Sequence, residues 1–262
     1  MQLDLNGRHA LVCGASQGIG RAAAQELALL GANVTVLARN AESLAAVVAA
    51  LPRVHAAQTH AFIAVDMADT EALRRKVEST ANAAPVQILI NNTGGPPGGP
   101  AQSATAESFV DAFQHHLLAN HALLQCVLPG MREAGYGRVV NVISTSVKEP
   151  IRNLGVSNTI RGAVASWAKT LATELGPHGI TVNNVLPGYT RTQRLEQIVR
   201  DRVHATGKTA QDIEQAMLAS VPAGRFASAE EIAAAIAFLA SPAAAYINGV
   251  NLPVDGGRMQ SL

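Results

Sequence analysis

Three glycines near the amino terminus have the spacing of a loop that holds a phosphate. The segment CGASQGIG places Gly14, Gly18 and Gly20 between the apolar run HALVC (9–13) and the helical pattern of residues 21–30. Glycines in such a turn let the backbone approach a pyrophosphate closely, and a helix that begins there offers free N–H groups. Because the glycines stand between a strand and a helix, the segment predicts a dinucleotide site.

The end of the second predicted strand, Ala38-Arg39-Asn40, favours one form of such a cofactor. An acidic residue here would bond to the 2′-hydroxyl of the adenosine ribose of NAD(H). The strand end carries no carboxylate, and the guanidinium of Arg39 suits a 2′-phosphate through charge-assisted hydrogen bonds. We therefore expect NADP(H) rather than NAD(H), although a merely solvated Arg39 would leave the preference undecided.

A second polar set lies further along the chain. Ser144 follows the apolar run RVVNVI (138–143), and the segment SNTIR places Ser157 and Arg161 four residues apart on a predicted helix. That spacing puts the two side chains on one face, one turn apart. Both can donate hydrogen bonds, but a serine hydroxyl is a weak acid and an arginine keeps its proton. The pair is therefore suited to binding and poorly suited to proton transfer.

These residues are positioned by an alternation of short apolar runs with longer segments of helical period. The β-type runs are HALVC, ANVTVLA, HAFIAVD, VQILIN, RVVNVI, ITVNNVL and VNLPVD. Strands that are apolar nearly throughout, separated by helices, predict a parallel sheet covered on both faces. We expect one α/β domain over residues 1–262, a doubly wound Rossmann-type fold. Two segments interrupt the pattern, a Gly/Pro-rich loop (93–100) and a candidate substrate lid (191–227).

The composition narrows the choice of partners. The chain has 262 residues, 48% hydrophobic and 15% charged, which is enough to bury one large core. Its net charge is +1, so we expect no nucleic-acid or membrane partner and a small molecule instead. No secretion signal or membrane span is recognisable, which predicts a cytoplasmic protein. The histidine spacing predicts no metal site.

Four motifs together resemble the short-chain dehydrogenase/reductase family, and most closely its 3-oxoacyl-[acyl-carrier-protein] reductase-like branch. They are the loop CGASQGIG, NNTG (91–94), NNVLPGYTRT (183–192) and the carboxyl-terminal GRFASAEEIAAAIAFLAS with INGVNLPVDGG. The resemblance covers nearly the whole chain. It implies about seven strands in the order 3-2-1-4-5-6-7. It also implies a homo-oligomer, a tetramer or dimer, built on two long helices (105–134 and 153–176).

The resemblance implies cofactor contacts in three groups. The glycine loop would hold the pyrophosphate, the end of the third strand the adenine, and the NNTG and Pro-Gly segments the ribose and nicotinamide. In chain order the residues are Gly14, Ser16, Gln17, Gly18, Ile19, Gly20, Asp66, Met67, Asn92, Thr93, Gly94, Pro187, Gly188 and Thr190. Cys13 and Thr93 replace a threonine and an alanine of the family's motifs.

The family's catalytic set of Asn, Ser, Tyr and Lys is kept here only in Ser144. Ser157 stands where the tyrosine is expected and Arg161 where the lysine is expected. The asparagine position falls on His116, with Asn120, one turn further on, as the alternative. In the family the lysine lowers the pKa of the tyrosine, and losing such a tuned acid costs about 10²–10⁴-fold in rate.

Three residues are candidates to replace the missing acid. His116 titrates in the right range, Lys148 follows Ser144 by four residues, and Tyr189 lies next to the Pro-Gly turn. Two of them also have a plainer interpretation. The histidine suits a subunit contact or a backbone hydrogen bond, and the lysine suits a solvated loop.

Three functions fit this sequence. The first is an NADP(H)-dependent oxidoreductase that transfers hydride to or from a small carbonyl or alcohol, 3-oxoacyl-like compounds included, with a non-standard proton donor. The second is a catalytically silent NADP(H)-binding protein that acts as sensor, regulator or partner subunit. The third is a scaffold whose cofactor site is vestigial. The retained cofactor motifs favour the first; turnover separates it from the second, and cofactor affinity separates the second from the third.

Overall fold

The computed structural model describes residues 1–261, in which seven strands form one parallel sheet. The strands are β1 (His9–Cys13), β2 (Asn33–Ala38), β3 (His60–Ala64), β4 (Ile88–Asn91), β5 (Gly137–Val142), β6 (Ile180–Pro187) and β7 (Asn251–Val254). They are arranged β3-β2-β1-β4-β5-β6-β7, and every neighbouring pair is parallel. The predicted doubly wound fold and its strand order are therefore confirmed.

Helices cover both faces of this sheet. They are α1 (Gly18–Leu29), α2 (Ala41–Ala50), α3 (Thr70–Ala83), α4 (Ala106–Phe113), α5 (Ala119–Glu133), α6 (Gly155–Leu175), α7 (Gln193–Thr206), α8 (Ala210–Leu218) and α9 (Ala229–Ala240). Side chains of β1 alternate between the two cores, because successive residues of a strand point to opposite faces. Ala10 and Val12 pack with α1, α2 and α9, and Leu11 and Cys13 pack with α3, α5 and α6. No helix among residues 1–261 has both the length and the hydropathy that crossing a membrane requires.

The centre of the sheet is the point at which the strand order reverses. From β1 the chain moves outward to β2 and β3, and from β4 it moves the other way. Ligands of open α/β sheets bind at the carboxyl ends of the strands beside such a switch point. The segments that follow β1 and β4 are therefore the expected walls of a binding cleft.

A row of hydrogen-bonded asparagines, three of them buried, links four neighbouring strands. Asn91, Asn141, Asn184 and Asn251 lie in register on β4, β5, β6 and β7. Each amide donates to the next one along the row, with the three N···O distances all 2.8 Å. Because buried amides without partners are costly, this row strongly disfavours a register shift. It therefore sets the positions of the NNTG loop, Ser144 and the Pro-Gly turn.

The helix predicted over residues 105–134 is interrupted. A π-helical turn, Gln114–Leu118, separates α4 from α5 and carries His116. Such a turn inserts a residue and rotates the side chains that follow it, which a regular helical repeat does not anticipate. The Gly/Pro-rich loop begins just after β4, as predicted, and is tied back through Gly99, whose N–H donates to the carbonyl of Asn153 at 2.8 Å.

The candidate lid consists of α7 and α8, joined at Gly207. This glycine has a φ of +68°, a conformation that L side chains rarely adopt and that ends α7. Five buried apolar side chains give the segment a small core of its own: Leu195, Val199, Ile213, Met217 and Phe226. The helices thus form a compact unit beside the sheet, and their movement over a substrate stays a prediction.

Candidate active site

A cleft of about 1300 Å³ opens at the carboxyl ends of the strands. Its walls come from the segments after β1 to β6, from the first turns of α6 and from the candidate lid. The predicted cofactor residues all line this cleft except Gly20, which packs beneath the glycine loop, and so do Ser144, Ser157, Arg161 and His116. The geometry thus brings the predicted cofactor residues and the predicted catalytic residues into one cavity.

The glycine loop is shaped to let a ligand approach its backbone. Gly14 and Gly18 have φ values of +58° and +56°. The amide of Asn92 donates to the carbonyl of Gly14 at 3.1 Å and so braces the turn. The N-cap of α1, Gln17, makes no side-chain capping bond, so the first N–H groups of the helix are available to an anion. A dinucleotide pyrophosphate fits this cradle.

Gly20 is the position where the cradle tolerates no side chain. A Cβ there would lie 2.3 Å from the carbonyl oxygen of Gly14 and 2.8 Å from the amide nitrogen of Asn92. We expect Gly20→Ala to displace the loop and to weaken NADPH binding roughly tenfold to a hundredfold, because overpacking costs about 1–3 kcal/mol. Fluorescence titration measures the affinity. The matched control is Gly162→Ala in α6, where a Cβ meets no atom within 4 Å; equal affinities in both variants would contradict the cradle.

At the far end of the cleft the side chains suit an adenosine phosphate. Arg39 is exposed where β2 ends, and Asn40, which also lines the cleft, caps α2 by accepting from the N–H of Ser43 at 2.8 Å. Arg21 of α1 lines the same cleft, a residue that the sequence reasoning missed although it directly follows Gly20. On the β3 side, Met67 is buried and the Asp66 carboxylate accepts from the N–H of Ala68 at 3.0 Å.

At the other end, Ser144, Ser157 and Arg161 come together. The Ser144 hydroxyl accepts a hydrogen bond from the N–H of Ser146 at 3.1 Å. Arg161 lies one turn after Ser157 on α6 and donates from Nη1 to the carbonyl of Val142 at 2.8 Å, which fixes it to the end of β5. Burial, and then the charge of Arg194, lower the pKa of Arg161 to about 10, so it remains charged at neutral pH.

His116 is held in its neutral form. The π-helical turn buries the ring, which is only 2% exposed and lines the cleft. Burial, followed by the charges of Arg161 and His115, lowers the pKa of His116 to about 2. At physiological pH this ring can donate or accept a hydrogen bond but carries no additional proton. Asn120 is buried outside the lining, so the structure favours His116 for the asparagine position.

Of the other two candidate donors, Tyr189 lines the cleft and Lys148 does not. The Tyr189 ring lines the cleft, with the guanidinium carbon of Arg258 4.6 Å from its centroid and the Phe226 ring edge-on at 6.0 Å. Lys148 is not among the residues that the described chain contributes to the lining. Across residues 1–261, no three His, Cys, Asp or Glu side chains are grouped as metal ligands would be.

Two residues of the lid segment were not recognised in the sequence. Thr192 caps α7 by accepting from the N–H of Leu195, and its methyl group lies 3.3 Å from where a Cβ of Gly18 would be. Arg194 donates from Nη2 to the carbonyl of Pro96 at 2.9 Å and so connects α7 to the Gly/Pro-rich loop. A threonine just before a helical pattern was the available signal for the first; the second depends on a contact 98 residues apart.

The sheet, the glycine cradle and the cleft at the switch point define a dinucleotide-binding protein of the Rossmann class. A family model described as enoyl-(acyl carrier protein) reductase matches residues 14–258. Together with the relatives below, this match places the chain in the short-chain dehydrogenase/reductase family, whose members named here are oxidoreductases.

Three relatives illustrate the similarity. The NADPH-dependent reductase BacG of Bacillus subtilis (strain 168) is 31% identical over 258 residues, which cover 97% of this chain and 99% of BacG. Gluconate 5-dehydrogenase of Gluconobacter oxydans (strain 621H) is 33% identical, with 99% of this chain and 97% of that protein covered. The crystal structure of L-sorbose reductase from Gluconobacter frateurii, complexed with NADPH and L-sorbose, superposes with a TM-score of 0.92 at 29% identity over 100% of both chains.

Proposed function

We propose that this protein is an NADP(H)-dependent oxidoreductase that acts on a small carbonyl compound or the corresponding alcohol. The observation that carries the proposal is the single cleft that joins the glycine cradle to Ser144 and Ser157. The names of the relatives agree with it, since they describe reductases and dehydrogenases of small molecules, two of them with NADPH.

The cleft has groups for each part of NADP(H). The N–H groups at the start of α1 would bind the pyrophosphate, and Arg39 with Arg21 would bind the 2′-phosphate. Asn92, Thr93 and the Pro-Gly turn would lie along the ribose and nicotinamide. When bound, the nicotinamide supplies the hydride.

The chain's own contribution at the reacting carbonyl is hydrogen bonding. The hydroxyls of Ser144 and Ser157 line the same end of the cleft and would donate to the carbonyl oxygen, which stabilises the negative charge that develops there. His116 is neutral and Arg161 keeps its proton, so neither is a tuned acid. The proton would then come from water that reaches the oxygen through the two serine hydroxyls, or from Tyr189, whose ring lines the cleft, and we expect slow turnover.

A silent NADP(H)-binding protein is the second candidate. The observation in its favour is that Arg161 and His116, at the lysine and asparagine positions, can bind a ligand but neither can serve as a tuned acid at neutral pH. For either function we propose a homo-oligomer, tetramer or dimer. The large apolar side chains Val110, Phe113 and Leu118, exposed along α4 and the π-helical turn, would supply part of the contact.

The deciding experiment titrates the purified protein with NADPH and NADH by fluorescence and then follows NADPH absorbance with a panel of ketones and acyl thioesters. We expect NADPH to bind more tightly than NADH. The substitution Arg39→Asp should weaken the affinity for NADPH roughly tenfold to a hundredfold and leave the affinity for NADH nearly unchanged, because the carboxylate repels a 2′-phosphate. Arg53→Asp, at an exposed position outside the lining, is the matched control.

Each outcome separates the candidates. NADPH binding with turnover supports the oxidoreductase. Tight binding without turnover on any member of the panel favours the silent binding protein. Absence of binding to either nucleotide would refute both proposals, and an Arg39→Asp variant with unchanged NADPH affinity would remove the 2′-phosphate assignment alone.

A further inference from the structure

Two guanidinium groups meet at the substrate end of the cleft. A Cβ built on Gly95 would lie 3.4 Å from Nη2 of Arg194 and 3.8 Å from Nη2 of Arg161. Arg161 comes from α6 beneath the cleft, and Arg194 comes from α7 of the candidate lid. The tips of both side chains therefore lie beside Gly95 of the Gly/Pro-rich loop, in the same cleft as Ser144 and Ser157.

Neither guanidinium has an acidic partner within residues 1–261. The ion pairs of that part of the chain are made by Arg75, Arg200, Arg225 and His115. Arg161 and Arg194 donate only to backbone carbonyls, those of Val142 and Pro96. Arg161 is only 8% exposed, and its Nε atom is buried without any hydrogen-bond partner. A buried charged donor left unsatisfied is costly and indicates a missing acceptor.

The two positive charges also oppose one another. In addition to the larger effect of burial on both groups, the charge of Arg194 lowers the pKa of Arg161 and the charge of Arg161 lowers the pKa of His116. A negatively charged group between the arginines would relieve this repulsion and satisfy their free N–H groups. A planar carboxylate matches the fork of a guanidinium better than a hydroxyl does.

We propose that Arg161 and Arg194 bind a carboxylate of the substrate, and that the substrate is a short oxo acid or the corresponding hydroxy acid. The inference rests on the proposed oxidoreductase function and narrows its substrate class. Ser144 and Ser157 would hold the carbonyl oxygen of the same molecule, and the carboxylate takes no part in bond making. Arg161 thus acts as a substrate anchor where the family pattern has a lysine.

The cofactor's own phosphates have their places elsewhere in the cleft. The glycine cradle at the start of α1 receives the pyrophosphate, and Arg39 with Arg21 receives the 2′-phosphate. The arginine pair lies with Ser144 and Ser157 at the opposite end. An anion bound there should therefore be able to coexist with the bound dinucleotide.

The test measures binding of malonate, a non-reducible dicarboxylate, to protein saturated with NADP⁺ by isothermal titration calorimetry. Malonamide, its uncharged analogue, is the ligand control. We expect malonate to bind and malonamide not to bind. We expect Arg194→Gln and Arg161→Gln each to weaken the affinity for malonate roughly tenfold to a hundredfold, since a hydrogen bond to a charged group contributes about 1.5–3 kcal/mol. Arg200→Gln, on the same helix as Arg194 but outside the lining, should leave the affinity unchanged.

NADPH titrations of the same variants keep the two proposals distinguishable. Arg194 is exposed, so Arg194→Gln should fold and still bind NADPH, whatever happens to the more buried Arg161→Gln. Protein that binds NADPH but no malonate, or that binds malonamide equally well, overturns the inference and leaves the oxidoreductase standing. Malonate that binds only without NADP⁺ overturns it as well, because the arginines would then serve the cofactor's phosphates. Protein that binds neither nucleotide refutes both proposals.

Discussion

Reduction of a neutral ketone should become about 10²–10⁴-fold faster in a chain that carries Ser157→Tyr and Arg161→Lys together, because a tuned general acid contributes that much. A phenol placed at position 157 would face the carbonyl held by Ser144, and the lysine one turn below would lower its pKa. Ser157 lines the cleft, so the larger side chain would extend into it. Steady-state kcat on a neutral ketone, with NADPH affinity measured in parallel, gives the result.

The single variants serve as controls for this gain. Arg161→Lys alone leaves the site without an acid and should not raise kcat. Ser157→Tyr alone supplies the phenol beside a guanidinium that donates to Val142, so its gain should be smaller than that of the pair. If the double variant binds NADPH as well as the parent and still shows no gain, then the geometry at the nicotinamide end, and not the missing acid, limits the rate. The double substitution should also weaken the binding of malonate, because it removes one of the two guanidinium groups.

The spacing of residues within short segments of the sequence was enough to predict the sheet and the cofactor end of the cleft. Residues such as Gly14 and Gly18 lie within a few positions of the strand and helix that they join, so their spacing already determines what they can do. The same holds for Arg39, because a strand end fixes where its side chain emerges. Ser157 and Arg161 are separated by one helical turn, and the structure places both in the cleft as their spacing indicates.

Contacts between distant segments could not be predicted in this way. The tips of Arg194 and Arg161 both lie near Gly95 because α7 packs against the Gly/Pro-rich loop, and no local period encodes that approach. The neutral state of His116 has a similar origin, since it depends on a π-helical turn and on the charge of Arg161 from another helix. Sequence reasoning gave His116 an ordinary titration range because burial and neighbouring charge are properties of the assembled fold.

That neutral state makes acid stability a sensitive test of the site. Above pH 6.5 the His116 ring is neutral in both the folded and the unfolded chain. Below pH 6.5 the unfolded chain gains a proton that the folded chain, with a His116 pKa of about 2, does not, so stability is lost as the pH falls. Between pH 6.5 and 4.5 this linkage should remove about 2 kcal/mol from the free energy of unfolding. Urea unfolding at several pH values measures the loss.

The variant His116→Asn, which restores the residue type of the family pattern, should remove this part of the pH dependence. Because burial also lowers the pKa values of His9 and His60, the difference between parent and variant isolates the contribution of His116. His178→Asn at the surface is the control for a histidine change as such. Parallel stability curves for parent and His116→Asn would contradict a neutral ring. They would also return His116 to the list of proton donors, in which case kcat/KM should fall as the pH rises through its pKa.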